Sequence, residues 1–323
     1  MGLFFSSCSS DTDTADGGRM ISMPIVLAIP ANNADLTTGT TGAKATRAEG
    51  DPGTYEKFEL PTHLYIYLIN TSIDEKETKV HTPEGMGKDG YSLDSKKWTK
   101  TTTKDNDKDS IYTYTDQIRI IIPENRSKGV VYAAMSTVPI AVTYTGTNVA
   151  DATFTLGGAA GKESEALKNL YSSPYNLTKN DQYYGTVSDY HSNSPYINMV
   201  LYHVASKLDV QWNVDASVQD KVKLSKITLK GLSGGGKLFK PLDNTTSSST
   251  YDETFTLDEG SQWYGRHATY VIPVQTDGKY QFPMTLTNSV SNTDKTTTAT
   301  AKPSATATVF VPWIYGTVKV TQW

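Results

Sequence analysis

The chain carries one cysteine, Cys8, in 323 residues. An intramolecular disulfide is therefore excluded, and so is a zinc site built from several thiolates. Long apolar runs are also missing: no stretch reaches the roughly 20 residues that a membrane-spanning helix needs. A strong excess of either charge is missing too: 30 Lys and Arg stand against 34 Asp and Glu, a mildly acidic balance. This balance gives no global pull toward nucleic acid or an anionic membrane. Metal-ligand spacing is absent, since His63, His81, His191, His203 and His267 form no H-E-x-x-H and no close pair. Helical signal is scarce as well. "SEALKNLYSS" (164–173) is the one good helix candidate, and strand–helix–strand spacing is missing.

What the chain has is strand-forming material. Hydrophobic residues make up 37% of it, enough for a sizeable core in one large or two ordinary domains. Tyr is abundant and Thr is spread throughout, and both favour strands. Strand candidates are "RMISMPIVLAIP" (19–30), with Pro24 best placed at an edge, then "FELPTHLYIYLIN" (58–70) and two arms around the charged turn of 97–122. They continue with 129–146, broken at Pro139, and with "ATFTLG" (152–157). After a polar, turn-rich stretch at 183–199 the signals resume at 201–214, 221–232, 253–257, 268–274, 279–289 and 305–323. In 221–232 the alternation of Val222, Leu224, Ile227 and Leu229 slips near Ser225, the mark of a bulge. Many short strands with turns between them predict an all-β chain of sandwiches. The expected division is a leader and linker at 1–19, a first domain at 20–190 and a second at 191–323.

Candidate chemistry is thin. "GLSGGGK" (231–237) matches G-x-S-x-G around Ser233, but no helix pattern follows to form a nucleophile elbow. It also matches G-x-x-x-x-G-K, but Leu238 stands where a phosphate loop needs Ser or Thr. The plain reading is a Gly-rich connection between strands. "DNDKD" (105–109) lacks the glycine and closing glutamate of a calcium loop and reads as a hairpin tip. Trp98, Trp212, Trp263, Trp313 and Trp323 could stack on sugars if they shared one exposed face, although strand context favours core packing. No catalytic, cofactor or metal residue is assigned, and the chain is not expected to be an enzyme.

The two ends are more informative. Cys8 follows a short apolar piece and precedes a polar run, an order similar to the lipidation site of a bacterial lipoprotein signal. The apolar run of Ile21, Pro24, Ile25, Val26, Leu27 and Ile29 is joined to the next strand through 31–54, a Gly-, Thr- and Ala-rich loop with Arg47 in it. Loops of that length call for a functional reason, and exposed ones are sites of nicking. A protease of trypsin-like preference would cut between Arg47 and Ala48. Loss of a core strand would leave a groove that invites a neighbour's strand. At the other end, Val309, Val311, Trp313, Val318 and Val320 belong to a last strand, either tucked into its own sheet or donated to another subunit.

These parts, in this order, resemble the fimbrillins of the Bacteroidales, the FimA/Mfa-like subunits of type V, protease-assembled pili. The resemblance rests on Cys8, the first strand at 21–30, "GAKATRAEG" with Arg47, and "LPTHLYIYLIN" as the first strand of the mature part. "NMVLYHVASKLDVQWNV" is similar to the opening of the family's second domain, and "VPWIYGTVKV" to its last strands. Together they cover nearly the whole chain. The resemblance implies two transthyretin-like β-sandwiches of Greek-key type with few short helices. It implies export as an outer-membrane lipoprotein precursor lipidated at Cys8, cutting after Arg47 by an arginine-specific protease, and incorporation into a cell-surface fimbrium. The implied partners are other fimbrial subunits, through strand exchange, and a host or bacterial receptor or glycan; cofactors and nucleic acid are not implied. Shaft, anchor and tip roles stay open. The alternative is a surface glycan-binding lipoprotein module, which predicts two or three Trp or Tyr side chains on one exposed face.

Overall fold

The structure, a computed structural model, describes residues 18–32, 58–72, 78–102, 109–123, 126–157, 161–173, 185–188, 196–241, 249–272, 275–276, 279–303 and 313–323. The first part of the chain forms β1 (Gly18–Asn32), β2 (His63–Ser72), β3 (Thr78–His81), β4 (Tyr91–Ser92), β5 (Trp98–Thr102), β6 (Asp109–Pro123), β7 (Arg126–Ser136), β8 (Ala141–Thr143) and β9 (Thr153–Thr155). An α-helix follows, α1 (Glu163–Lys168), and then β10 (Tyr171–Ser172), β11 (Gly185–Ser188), β12 (Tyr196–Val200) and β13 (Tyr202–His203). The helix is shorter than the pattern at 164–173 suggests. Leu170, Tyr171 and Ser172 are buried, and the latter two pair with β7 as β10, so tertiary pairing overrides helix propensity there.

Apart from β8 and β9, these strands make two facing layers. In one, β7 pairs with β2 along one edge and with β10 and β11 along the other, while β3 and β4 extend β2. The other layer runs β5–β6–β1–β12–β11. The strand β11 belongs to both: Gly185 and Thr186 pair with β7, and Val187 and Ser188 pair with β12. It crosses between the layers and closes one side of the sandwich. Five consecutive residues of β2, Leu64 to Leu68, are buried. Leu64, Ile66 and Leu68 face the core shared with β1, whereas Tyr65 and Tyr67 face a second cluster with Leu167, Leu238 and Phe239. Burial on both faces explains why "LYIYL" is a continuous apolar run rather than an alternation.

The rest of the chain forms β14 (Ser206–Val214), β15 (Leu224–Ser233), β16 (Gly235–Lys237), β17 (Thr250–Thr256), β18 (Tyr264–Val271), β19 (Gln275–Thr276), β20 (Lys279–Asn288), β21 (Thr293–Pro303) and β22 (Trp313–Val320). Apart from β16, they lie in one sheet of order β17-β15-β20-β21-β22-β14-β18, with β19 on β20. It wraps a core that includes Leu208, Trp212, Ile227, Phe282 and Leu286. The register of β15 on β20 shifts between Leu224 and Lys226, where the sequence alternation slips. β21 carries no sequence signal, because among its described side chains only the small Ala299 and Ala301 are buried apolar groups. The expected boundary near 190 lies outside the described residues; β12 and β13, beyond it, still pair in the first sheet.

The two halves are fastened by β16, which pairs with β9, itself paired with β8. Gly235 is needed for this approach, since a Cβ there would sit 2.3 Å from the Phe154 carbonyl oxygen. Beyond β16, Leu238 and Phe239 are fully buried in the cluster behind β2. Ser172 Oγ donates to the Leu238 carbonyl at 2.7 Å, and Lys240 Nζ meets Asp151 at 2.7 Å.

His203 lies in the same junction, its ring 4.6 Å from that of Tyr171, with Nδ1 buried and unpartnered. Burial pushes its pKa down from 6.5 to about 4. The Lys168 and Lys207 ammonium groups act in the same direction, and a hydrogen bond with the Lys168 backbone opposes them. The folded chain therefore holds a neutral ring that the unfolded chain protonates. This contribution to stability is complete above pH 6.5 and is lost as pH falls toward about 4. Unfolding free energies from urea titration at about pH 7 and about pH 4.5 should differ more for the natural chain than for His203→Gln, by on the order of 1–3 kcal/mol. An equal difference in the two proteins would contradict this assignment.

Candidate functional site: the seat of the first strand

Within β1 the odd-numbered residues Ile21, Met23, Ile25, Leu27 and Ile29 point into the sandwich, and none is more than 9% exposed. They meet Leu64, Ile66 and Leu68 of β2, Ile118 and Ile120 of β6, Met135 of β7, and Ile197 and Met199 of β12. The period of two follows from strand geometry. Burial of each such side chain contributes roughly 1.5–3 kcal/mol. Ser22 and Pro24 on the opposite face are exposed, and Val26, Ala28 and Pro30 are half-buried.

The backbone of β1 is held from both sides. Antiparallel pairing with β6 runs residue by residue from Gly18–Pro123 to Asn32–Asp109. Parallel pairing with β12 covers only Ile25–Ile197 to Ala28–Val200. The Leu201 N–H donates to the Ala28 carbonyl at 2.8 Å. The even-numbered residues therefore turn their backbone polar groups toward β12. Pro24 and Pro30 are both even and both lie just outside the β12-paired stretch, so their missing N–H groups remove no bond from either ladder. Pro24 is therefore not at an edge, as the sequence suggests, but within an interior strand, at a position beside the β12-paired stretch where its missing N–H is tolerated.

Opposite Ile25, the wall formed by β6 is pinned. Tyr114 Oη donates to Asp116 Oδ2 at 2.7 Å, and Lys97 Nζ contacts Asp116 Oδ1. Burial raises the Asp116 pKa, but hydrogen bonds from Lys97 and Tyr114 outweigh it and hold the carboxyl below its ordinary value. At the mouth of the core Phe58 stacks on Tyr112, ring centroids 3.8 Å apart, where the chain enters from the Arg47 segment.

Of the residues read from sequence, Ile21, Ile25, Leu27 and Ile29 are inward, Val26 is outward and Pro24 is exposed. Met23, fully buried and in phase with them, is not marked by composition; it becomes visible when the run is read by alternation. Cys8, Arg47, Ala48, Val309 and Val311 lie outside the described residues. Trp313, Val318 and Val320 fall in β22, which pairs in parallel with β14 and antiparallel with β21, and Val318 and Val320 pack on the core of the second half. The last strand is thus seated in its own sheet.

Other motifs resolve as structure. Ser233 is buried at the end of β15 and its hydroxyl donates to the carbonyl of Gly235, the first residue of β16, at 2.7 Å; a strand follows it rather than a helix. Trp212 is buried and donates to the Ser261 carbonyl; Trp263 donates to that of Val222, and Trp98 packs on the first core. These three indoles do not form one exposed row. Among the described residues no group of three or more His, Cys, Asp and Glu could hold a metal, and no helix is long and apolar enough to cross a membrane. Within β1, Leu27→Ala should lower unfolding free energy by about 2–5 kcal/mol, whereas Ser22→Ala should change it by no more than about 0.5 kcal/mol. Denaturant titration checks both, and equal effects would contradict the inward–outward assignment.

No protein-family model and no curated protein matches the chain. Solved structures do resemble it. One is a proposed cell adhesion protein from Bacteroides uniformis, with 13% identity over 96% of this chain and 94% of that one, at a TM-score of 0.40. Another is a fimbrial assembly protein from Parabacteroides distasonis, with 12% identity, coverage of 94% and 92%, and a TM-score of 0.39. A third is the fimbrial anchor protein Mfa2 from Porphyromonas gingivalis, with 7% identity over 86% of this chain and 82% of that one, at a TM-score of 0.32.

Proposed function

We propose that this chain is a structural subunit of a cell-surface fimbria that mediates adhesion, with no catalytic role of its own. The observation that carries this reading is the placement of β1. It is an interior strand of the first sandwich, yet it is covalently joined to the next strand, β2, only through residues 33–62, which include Arg47. Cutting after Arg47 would free β1 from everything that follows it. Its departure would expose two ladders, on β6 and β12, and the apolar residues that line the core between them. Unpaired strand edges of that kind recruit another strand. In this reading a second subunit supplies it, an arginine-specific protease starts the exchange, and Cys8 carries a lipid that holds the precursor at the outer membrane. The two units are transthyretin-like sandwiches, each with its first strand parallel to a late one: β1 to β12 and β14 to β22.

Treatment of the purified chain with an arginine-specific protease, followed by intact mass and size-exclusion analysis, tests this function. The expected result is a cut after Arg47, release of the fragment that contains β1, and growth of oligomers. Arg47→Ala should abolish both release and growth. Polymerisation of the Arg47→Ala chain at the natural rate, or a stable monomer after β1 has been released, would contradict the proposal.

A further inference from the structure

The directions of three strands carry a consequence for the emptied seat. β1 runs antiparallel to β6 and parallel to β12. Hence β12 runs antiparallel to β6, and with β1 gone the two are compatible ladder partners. The registers agree as well. Through β1, Ile197 stands opposite Asp116, Asn198 opposite Thr115, Met199 opposite Tyr114 and Val200 opposite Thr113. A sideways shift by one strand spacing, about 4.8 Å, would pair them without any slip along the strand. Side-chain parity survives such a shift: Ile197 and Met199 stay inward with Tyr114, while Asn198 and Thr115 stay outward.

The two walls are unequally held. β6 keeps β5 as a partner along Trp98–Tyr114 to Thr102–Ser110, and Glu84 N–H donates to the Arg119 carbonyl at 2.7 Å. Among the described residues, β12 keeps, apart from β1, only the pairs Val187–Ile197 and Ser188–Tyr196 with β11. β11 in turn keeps two pairs with β7. β12 is therefore the wall that moves.

We propose that β12 closes the emptied seat by pairing directly with β6, so that the processed subunit passes through a self-paired state that an incoming strand must displace. This inference rests on the preceding reading only in that β1 leaves. Closure would cover part of the apolar lining and slow premature association.

Thr115 and Asn198 provide the test, both being exposed on the outer face. In the intact chain one strand separates them, placing their Cα atoms about 9–10 Å apart, beyond disulfide reach. Closure would bring them to about 5 Å. A chain carrying Cys8→Ser, Thr115→Cys and Asn198→Cys is oxidised mildly before and after removal of β1, and the cross-link is read by mass and peptide mapping. The inference predicts a disulfide between the two introduced thiols only in the emptied chain, suppressed by excess synthetic peptide of residues 18–32. The locked form should not bind that peptide until it is reduced. A folded, emptied monomer without the bond would overturn the inference, as would an emptied chain that simply unfolds. If cutting at Arg47 fails to release β1, the preceding reading fails at that step. The cut chain, unfolded in denaturant, separated from the fragment that contains β1 and refolded without it, then empties the seat independently, and the same outcomes decide.

Discussion

The first half of the molecule depends on one strand lying between two others. Five alternate side chains of β1 fill the space between its own layer and β2 and β7, and its backbone joins β6 to β12. It is the one strand that links β5–β6 to β12–β11 in that layer of the intact chain. The hydrophobic contribution and the ladder contribution act on the same residues, so the strand is both core and connection. A period of two supplies both at once: odd residues give the apolar face, and even residues turn their polar backbone toward β12.

The second half is attached without sharing that dependence. β2 presents Leu64, Ile66 and Leu68 to the core around β1 and Tyr65 and Tyr67 to the cluster around Phe239. β9 and β16 add a short ladder, and Ser164 Oγ accepts from the Tyr270 N–H at 3.0 Å. The core of the second half contains no residue of β1. Loss of β1 therefore strikes one sandwich, while the junction rests on the opposite face of β2. The seating of β22 between β14 and β21 gives the second half a closed core of its own.

The all-β class was legible because Thr, Tyr and short apolar runs recur without helical spacing. The bulge near Ser225 was legible because alternation records which face each residue takes. β21 was not, since small Thr and Ala side chains satisfy a sheet without marking a face. The end of the helix candidate was obscured because Tyr171 and Ser172 are drawn into pairing with β7, a long-range contact that local pattern does not encode. At the candidate site, the apolar run of β1 was readable, but its partners were not: β6 and β12 lie far apart in sequence and meet only through the fold. Met23 shows the same limit on a smaller scale, since its role follows from phase with Ile21 and Ile25 rather than from its residue type.

Amide hydrogen exchange on the intact chain and on the chain freed of β1 tests the central claim most directly. The account predicts that Ile118–Ile122 of β6 lose protection when β1 leaves and regain it when a strand is supplied, while β14 and β20 keep theirs throughout. Unchanged protection in β6, or equal loss in both halves, would contradict it.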